Sequence, residues 1–352
     1  MHKRKRVYDF VYLTNTPSFY KLNLCEAIAR KGYKLLLILY GYGAEAVNTT
    51  LSEQSTWSFH YHFLHTGDSN NRNRVKTFLR LFKLMRSIGA KKLLYAGWFT
   101  PEYDVYSMLS PKRCNVVISE SSSWDISLSG YKGFLKRIFI RRMSSALPSG
   151  LPHIDFFQQI GFKGFIHSTG SVGILGKKPR TLNSFKSPTK LRYICVARLI
   201  DCKNLRFLVE KFNSNGLLLT IVGQGELEAE LRAIAKPNIT FTGFIDNDKL
   251  GEIYQQHDVF ILPSTYEPWG LVVEEALYWG LPVIVSNRVG AGPDMVRDLH
   301  TGVIFDLERP ESFDEAINDV SENYAKYRKA VVAIDWDERE RRQVQAYINL
   351  LK

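Results

Sequence analysis

Thiols are scarce in this chain, and none of the four is placed for chemistry. Cys25, Cys114, Cys195 and Cys202 form no C-x-x-C pair, and none stands at metal-ligand spacing from a histidine. That excludes a disulfide framework and the common zinc patterns, and leaves reduced thiols in a cytosolic protein. Long apolar runs are missing too, since no stretch approaches the ~18 residues of a membrane span. The basic start Met1–Arg6 leads into Val7–Leu13, which Asp9 interrupts and Thr14-Asn15 ends; this is too short and too polar for a signal peptide. The expectation is a cytoplasmic protein that at most rests on the inner face of the cytoplasmic membrane.

Acids are scarce in the first half alone. Residues 1–180 carry 27 Lys and Arg against 10 Asp and Glu, whereas residues 181–352 carry 20 against 25. An acidic partner should therefore meet the first half. From Ser69 to Pro101 there is no acid, while Arg72, Arg74, Lys76, Arg80, Lys83, Arg86, Lys91 and Lys92 alternate with Phe78, Leu79, Leu81, Phe82, Leu84 and Met85. Lys132–Arg142 repeats the pattern. Basic helices with large apolar faces suit the surface of an anionic bilayer. No RNA or DNA module is recognisable, so nucleic acid is not an expected partner, and a basic nucleic-acid-binding protein stays as the rival from another class.

At 352 residues the chain is long enough for two domains. Short apolar runs alternate with helical patterns in both halves, which implies parallel sheets covered on both faces. In the first half Val7–Leu13, Lys34–Tyr40, Trp57–Leu64, Lys92–Ala96, Asn115–Ser119 and Gly164–Ser168 read as strands, with helices over Phe19–Lys31, Val75–Ile88 and Gly133–Ala146. The second half reads as strands Leu191–Val196, Leu217–Val222, Ile239–Thr242, Val259–Leu262, Pro282–Val285 and Gly302–Phe305, with helices Asn204–Asn213, Glu226–Ala235, Asp248–His257 and Leu271–Trp279. The fold class is α/β: two doubly wound Rossmann-like domains facing across a cleft, with ligands at the carboxyl ends of the strands. The boundaries expected are 1–175 for an acceptor-binding domain, 176–190 for a linker rich in Pro and Ser, and 191–335 for a nucleotide-binding domain. Residues 336–352 form a terminal helix that could pack back on the first domain.

The chemistry concentrates in Ser264-Thr-Tyr-Glu267-Pro-Trp-Gly270-Leu-Val-Val-Glu274-Glu275. Glu267 follows a strand and Gly270 opens a helix. The N–H groups of Trp269, Gly270 and Leu271 would offer an anion site for a pyrophosphate, helped by the helix dipole. Glu267 suits sugar hydroxyls, and Glu275 suits the vicinal diol of a ribose. Arg198 and Lys203, after the first strand of this half, would compensate a leaving diphosphate. Gly223 and Gly225, and Gly243 with Phe244, follow the next two strands, where backbone or ring could meet a flat base. Taken singly, the glycines read equally as turn residues and Glu274-Glu275 as a solvated helix face. Asp246-Asn-Asp248 has the look of a metal site but reads better as a helix N-cap; Asp335-Trp-Asp337 lies in the tail, and no metal is expected at either.

With these motifs in order, residues 191–306 resemble the nucleotide-sugar domain of family four of the retaining glycosyltransferases, which has the GT-B fold. The resemblance rests on the E-x7-E spacing from Glu267 to Glu275, the Arg198 and Lys203 pair, Val222-Gly223-Gln224-Gly225 and Thr242-Gly243-Phe244. It implies a metal-independent transferase that keeps the anomeric configuration. Arg198 and Lys203 would bind the donor diphosphate, Glu267 the transferred sugar and Glu275 the ribose. No cofactor is held permanently; the donor is a UDP or GDP sugar. A nucleotide-sugar epimerase of similar shape is the rival enzyme.

The first half is less legible. Asn15-Thr-Pro-Ser-Phe-Tyr20 stands where many relatives have a Gly-rich loop, and it resembles the variant start of bacterial surface-polysaccharide enzymes. Glu120, after strand Asn115–Ser119, stands near the place where the family often has a histidine. It would assist an acceptor hydroxyl or stabilise positive charge on the sugar, and reads equally as a structural carboxylate. Gly97-Trp98 is a candidate platform for an acceptor sugar. Together these readings lead to transfer onto a glycan, carried on a lipid, in surface-polysaccharide (O-antigen, capsule or similar, including lipopolysaccharide) synthesis.

Overall fold

The computed structural model describes residues 5–41, 57–65, 71–97, 100–122, 130–176, 178–180, 182 and 190–352. Trp98 and most of the expected linker lie outside them. The chain divides into two compact units, Met1–Gly176 with Asp337–Lys352, and Lys177–Trp336.

Unit 1 is built on seven strands: β1 (Arg6–Thr14), β2 (Leu35–Leu39), β3 (His60–Phe63), β4 (Ile88–Ala96), β5 (Asn115–Ser119), β6 (Ser145–Pro148) and β7 (Phe165–Ile166). Every pairing is parallel, in the order β3-β2-β1-β4-β5-β6-β7. Its helices are α1 (Phe19–Arg30), α2 (Arg74–Ser87), α3 (Pro101–Leu109), α4 (Gly130–Arg141) and α5 (Leu151–Gln159). The period of two along β1 and β2 makes two cores. Phe10, Tyr12, Leu35, Leu37 and Leu39 pack with Cys25 and Ile28 of α1 on one face. Val11, Leu13, Leu36 and Ile38 pack with Leu81, Met85 and Phe139 on the other.

Unit 2 has six parallel strands, β8 (Arg192–Val196), β9 (Leu218–Val222), β10 (Ile239–Gly243), β11 (Val259–Leu262), β12 (Val283–Ser286) and β13 (Gly302–Phe305), in the order β10-β9-β8-β11-β12-β13. Helices α6 (Leu205–Asn215), α7 (Glu228–Ile234), α8 (Asn247–Gln255), α9 (Leu271–Tyr278), α10 (Glu311–Glu322) and α11 (Tyr324–Val332) connect and follow them. The runs VFIL of β11 and VIVS of β12 are buried at every position, as strands covered on both faces require. The last helix, α12 (Trp336–Asn349), returns to unit 1, where Val344, Ala346, Tyr347 and Ile348 join the core against β1 and α1.

Three local readings of the sequence differ from the structure. The helix expected over Gly133–Ala146 ends at Arg141, and Ser145–Pro148 is the strand β6. A four-residue apolar run carries too few residues for its period to separate strand from helix. What makes it a strand is β5, with Ser145 registered against Val116 and the Ser144 N–H donating to Asn115 O at 2.9 Å. The strand expected from Lys92 begins at Ile88 because Arg6, Val7 and Tyr8 pair with it. Helices α3 and α5, each with a proline in the first turn, carried too weak a period to be read. Among the described residues no helix is long and apolar enough to cross a membrane.

Candidate functional site

In unit 2 the strand order reverses between β8 and β11, so the loops after these two strands open a crevice at the carboxyl edge of the sheet. Lys203 ends a short 3-10 turn, Asp201–Lys203, after β8, and its ammonium pairs with the Glu267 carboxylate from the loop after β11. Both side chains are only 14% exposed. The two loops are stapled beneath the pair: Thr265 N–H donates to Cys202 O at 2.9 Å, and Asn204 Nδ2 to Pro263 O at 3.2 Å. Asn204 takes the left-handed conformation (φ 54°) that few side chains but Asn tolerate. Arg198 stands exposed on the same loop, its guanidinium without an ion pair among the described residues.

The glycines after β9 press against the loop that carries Arg198. A Cβ on Gly223 would lie 1.9 Å from Ala197 O, and one on Gly225 2.4 Å from Leu199 O. The close approach is thus to the backbone on either side of Arg198, and the segment is held there by Leu199 N–H to Gln224 O at 3.0 Å and Leu227 N–H to Leu199 O at 3.1 Å. Gly243 (φ 74°) accepts from Gly223 N–H at 2.8 Å, and Phe244, just beyond the end of the outermost strand, is exposed. No described bond brings Phe244 to Glu275.

Glu267 is fixed through its backbone as well, with its N–H donating to Arg288 O at 3.2 Å and its carbonyl accepting from Gly290 N–H at 2.9 Å. Gly270 is the N-cap of α9 at φ 99°, and a Cβ there would stand 3.3 Å from Glu267 Cγ. The first two helical residues, Leu271 and Val272, have N–H groups without partners in the helix, which is the anion-binding end. Trp269 is buried, and its indole N–H donates to the buried Glu274 carboxylate. Glu274 and Glu275 are therefore not a solvated face. Glu275 is half-buried beside the Tyr254 hydroxyl of α8. Burial first, and the Glu274 charge second, push its carboxyl up to about 7. A carboxyl raised on folding stabilises the fold while protonated, and that contribution is lost as pH rises through about 7.

The structure thus joins Lys203, Glu267 and Gly270, and sets Arg198 on the adjoining loop and Glu275 within α9. Glu120 belongs to unit 1, after β5. No group of three or more His, Cys, Asp or Glu able to hold a metal occurs among the described residues. Asp246 takes the N-cap position of α8 without a side-chain hydrogen bond, and Asp248 pairs with Lys178. The partnership of Trp269 with Glu274 was missed in the sequence, because a tryptophan five residues before a glutamate carries no pattern of its own.

Two parallel-sheet α/β units of this strand order define the GT-B fold. Solved structures share it over nearly the whole chain. The lipopolysaccharide outer core galactosyltransferase WaaB is similar at TM-score 0.69 and 13% identity, with 97% of this chain and 99% of that one covered. The sucrose-phosphate synthase from Thermosynechococcus elongatus is similar at 0.68 and 17%, with 98% and 99% covered. Residues 179–333, nearly all of unit 2, match the family described as glycosyl transferases group 1. In sequence, an uncharacterized glycosyltransferase of Methanocaldococcus jannaschii is 28% identical over 149 residues, 39% of this chain and 37% of that protein. A GDP-mannose-dependent alpha-mannosyltransferase of Mycobacterium tuberculosis is 30% identical over 146 residues, 40% of this chain and 38% of that protein. The chain thus spans under two fifths of these relatives' length.

Proposed function

We propose that the chain is a retaining, metal-independent glycosyltransferase that moves a hexose-type sugar from a UDP or GDP sugar to a glycan acceptor carried on a lipid. The observation that carries this reading is the Lys203–Glu267 pair beside the free Arg198, set at the switch point next to the open N-terminus of α9. Lys203 is neutralised by Glu267. A bound diphosphate brings its own negative charge to Lys203 and Arg198, and releases Glu267 to accept hydrogen bonds from the sugar. As the sugar–phosphate bond breaks, charge grows on the departing diphosphate, and the two cations and the helix end stabilise it. Glu275, once ionised, accepts both hydroxyls of the ribose.

Melting curves test this. Without ligand, stability should fall between pH 6 and pH 8 as Glu275 ionises, by about 1.4 kcal/mol, and the melting temperature with it. A UDP or GDP sugar, whose diphosphate does not titrate in that range, should raise it, and more at pH 8 than at pH 6. Glu275→Gln should remove the second effect and the Glu275 share of the first, leaving the share of Asp104, which burial also raises to about 7. No stabilisation by any UDP or GDP sugar would sink the assignment.

The membrane part of the reading rests on two helices of unit 1. Tyr131, Phe134 and Leu135 of α4 are exposed beside Lys132 and Arg137, and Val75 and Leu79 of α2 beside Arg74, Lys76 and Lys83. Not every cation of the basic segments is free for this role. Arg72 is paired with Glu102, Lys91 with Asp9, and Arg142 donates to Ser107 O and Ser110 O. Neither helix contains an acid, and each remaining cation near an anionic surface contributes about 1 kcal/mol. The full chain should sediment with phosphatidylglycerol vesicles and not with phosphatidylcholine vesicles. Phe134→Ser with Leu135→Ser should weaken that binding about tenfold or more. Equal binding to both vesicles would remove the membrane from the proposal.

A further inference from the structure

The chain passes between its two units twice, after Gly176 and after Trp336, and one side chain of unit 2 holds both passages. Tyr278 is the last residue of α9 and is only 7% exposed. Its hydroxyl donates to Lys178 O, just past the first passage. The Arg180 guanidinium lies 4.5 Å from the centre of its ring. Nη1 of that guanidinium is buried with no hydrogen-bond partner among the described residues, so the ring is what holds it. Trp336, the last residue before the second passage, is buried and meets the Tyr278 ring edge-on, with centroids 5.6 Å apart. Trp279 fixes the same end of α9 against α8, where a Cβ on Gly251 would stand 2.3 Å from the indole. The pair of Lys178 with Asp248 is solvated on both sides and adds little.

Within unit 1 the chain is fastened as closely to its own core. Leu175 is buried there, its carbonyl accepts from Asn23 Nδ2 at 2.7 Å, and the Arg339 guanidinium donates to Gly170 O. Between the two sets of anchors stands Gly176, at φ 74°, a region that glycine enters at little cost. A chain held this near to each passage has few torsions left to turn about. α9 begins at Gly270, beside the Lys203–Glu267 pair, and ends about 12 Å away at Tyr278. The helix that offers its N-terminus to a diphosphate therefore carries both connections at its other end. We propose that Tyr278 is a clasp that makes the donor helix and the two connections one rigid piece of unit 2, so that movement between the units turns about Gly176 and the start of α12. The link to a diphosphate rests on the transferase reading above. Transfer depends on reacting groups held to within about an ångström, and a pivot tied to the donor helix serves that need.

Trypsin reads the clasp directly, because it must lift the Arg180 guanidinium off the Tyr278 ring before it can cut after that residue. With the full chain, cleavage after Arg180, followed by the masses of the fragments, should be about tenfold or more faster in Tyr278→Leu than in the wild type. Tyr278→Phe keeps the ring and loses the bond to Lys178 O, so an increase of about two- to tenfold is expected. A rate in Tyr278→Leu equal to that of the wild type overturns the proposal. So does a digest in which sites throughout unit 2 are cut as early as Arg180, since that is general unfolding and not release of the connections. Should Tyr278→Leu fail to fold, Tyr278→Phe carries the test, and an unchanged rate overturns the proposal. A UDP or GDP sugar that raises the melting temperature should slow the cut in the wild type, and slow it less in Tyr278→Leu. A wild-type rate indifferent to such a bound sugar overturns the tie between clasp and donor helix. If no nucleotide sugar raises the melting temperature, the transferase reading fails, and the two variants still decide the clasp.

Discussion

Lys203→Met should lower transfer from the nucleotide sugar about 10²–10³-fold, the usual loss when one charge-stabilising group is removed from an active site. It should also destabilise unit 2 by about 3 kcal/mol, because Glu267 keeps its buried position and loses its cation. The two effects have different origins and can be separated. In Lys203→Met with Glu267→Gln no charge is left unpaired, so thermal unfolding should return most of the way toward wild type while transfer stays absent. Removing Glu267 alone should lower transfer as well, but should leave Lys203 free for phosphate, so a nucleoside diphosphate should bind about as tightly as before or more so. Transfer within tenfold of wild type in Lys203→Met would show that this lysine does not meet the diphosphate.

Gly223→Ala should have the larger effect on the fold. Its φ of 134° is outside what an L residue adopts readily, and the new Cβ would stand 1.9 Å from Ala197 O, a backbone atom that cannot rotate away. A loss above about 4 kcal/mol is expected, which for a unit of this size lowers the melting temperature by roughly 10 °C or leaves no soluble protein. Gly243→Ala is the control. It has a positive φ of 74° but nothing within 4 Å of the added carbon, so only the backbone term of about 1–2 kcal/mol applies. Equal melting temperatures for the two variants would mean that the β8 and β9 loops are not pressed together as described. Where Gly223→Ala remains folded, nucleotide affinity should fall, because the backbone it displaces is the one that carries Arg198.

Much of this protein is legible along the chain because parallel strands covered on both faces leave continuous apolar runs. β2, β11 and β12 stand out in that way, and the loops after β8 and β11 follow from where the runs stop. The spacing from Glu267 to Glu275 likewise survives in one dimension, since both residues lie on one loop and the helix it opens. β6 did not: its four residues become a strand only because β5 is already beside them.

What the order of residues determined by itself was the α/β alternation, the basic first half, and the list of charged groups at strand ends. The tertiary structure decided which of those groups meet. Lys203 and Glu267 are 64 positions apart, and the strand order that makes β8 and β11 neighbours turns them into a pair. Burial decided the rest, because the state of a carboxylate depends on how much water and which dipoles surround it. Glu274 under an indole and Glu275 half-buried beside it are alike as letters and different as chemistry.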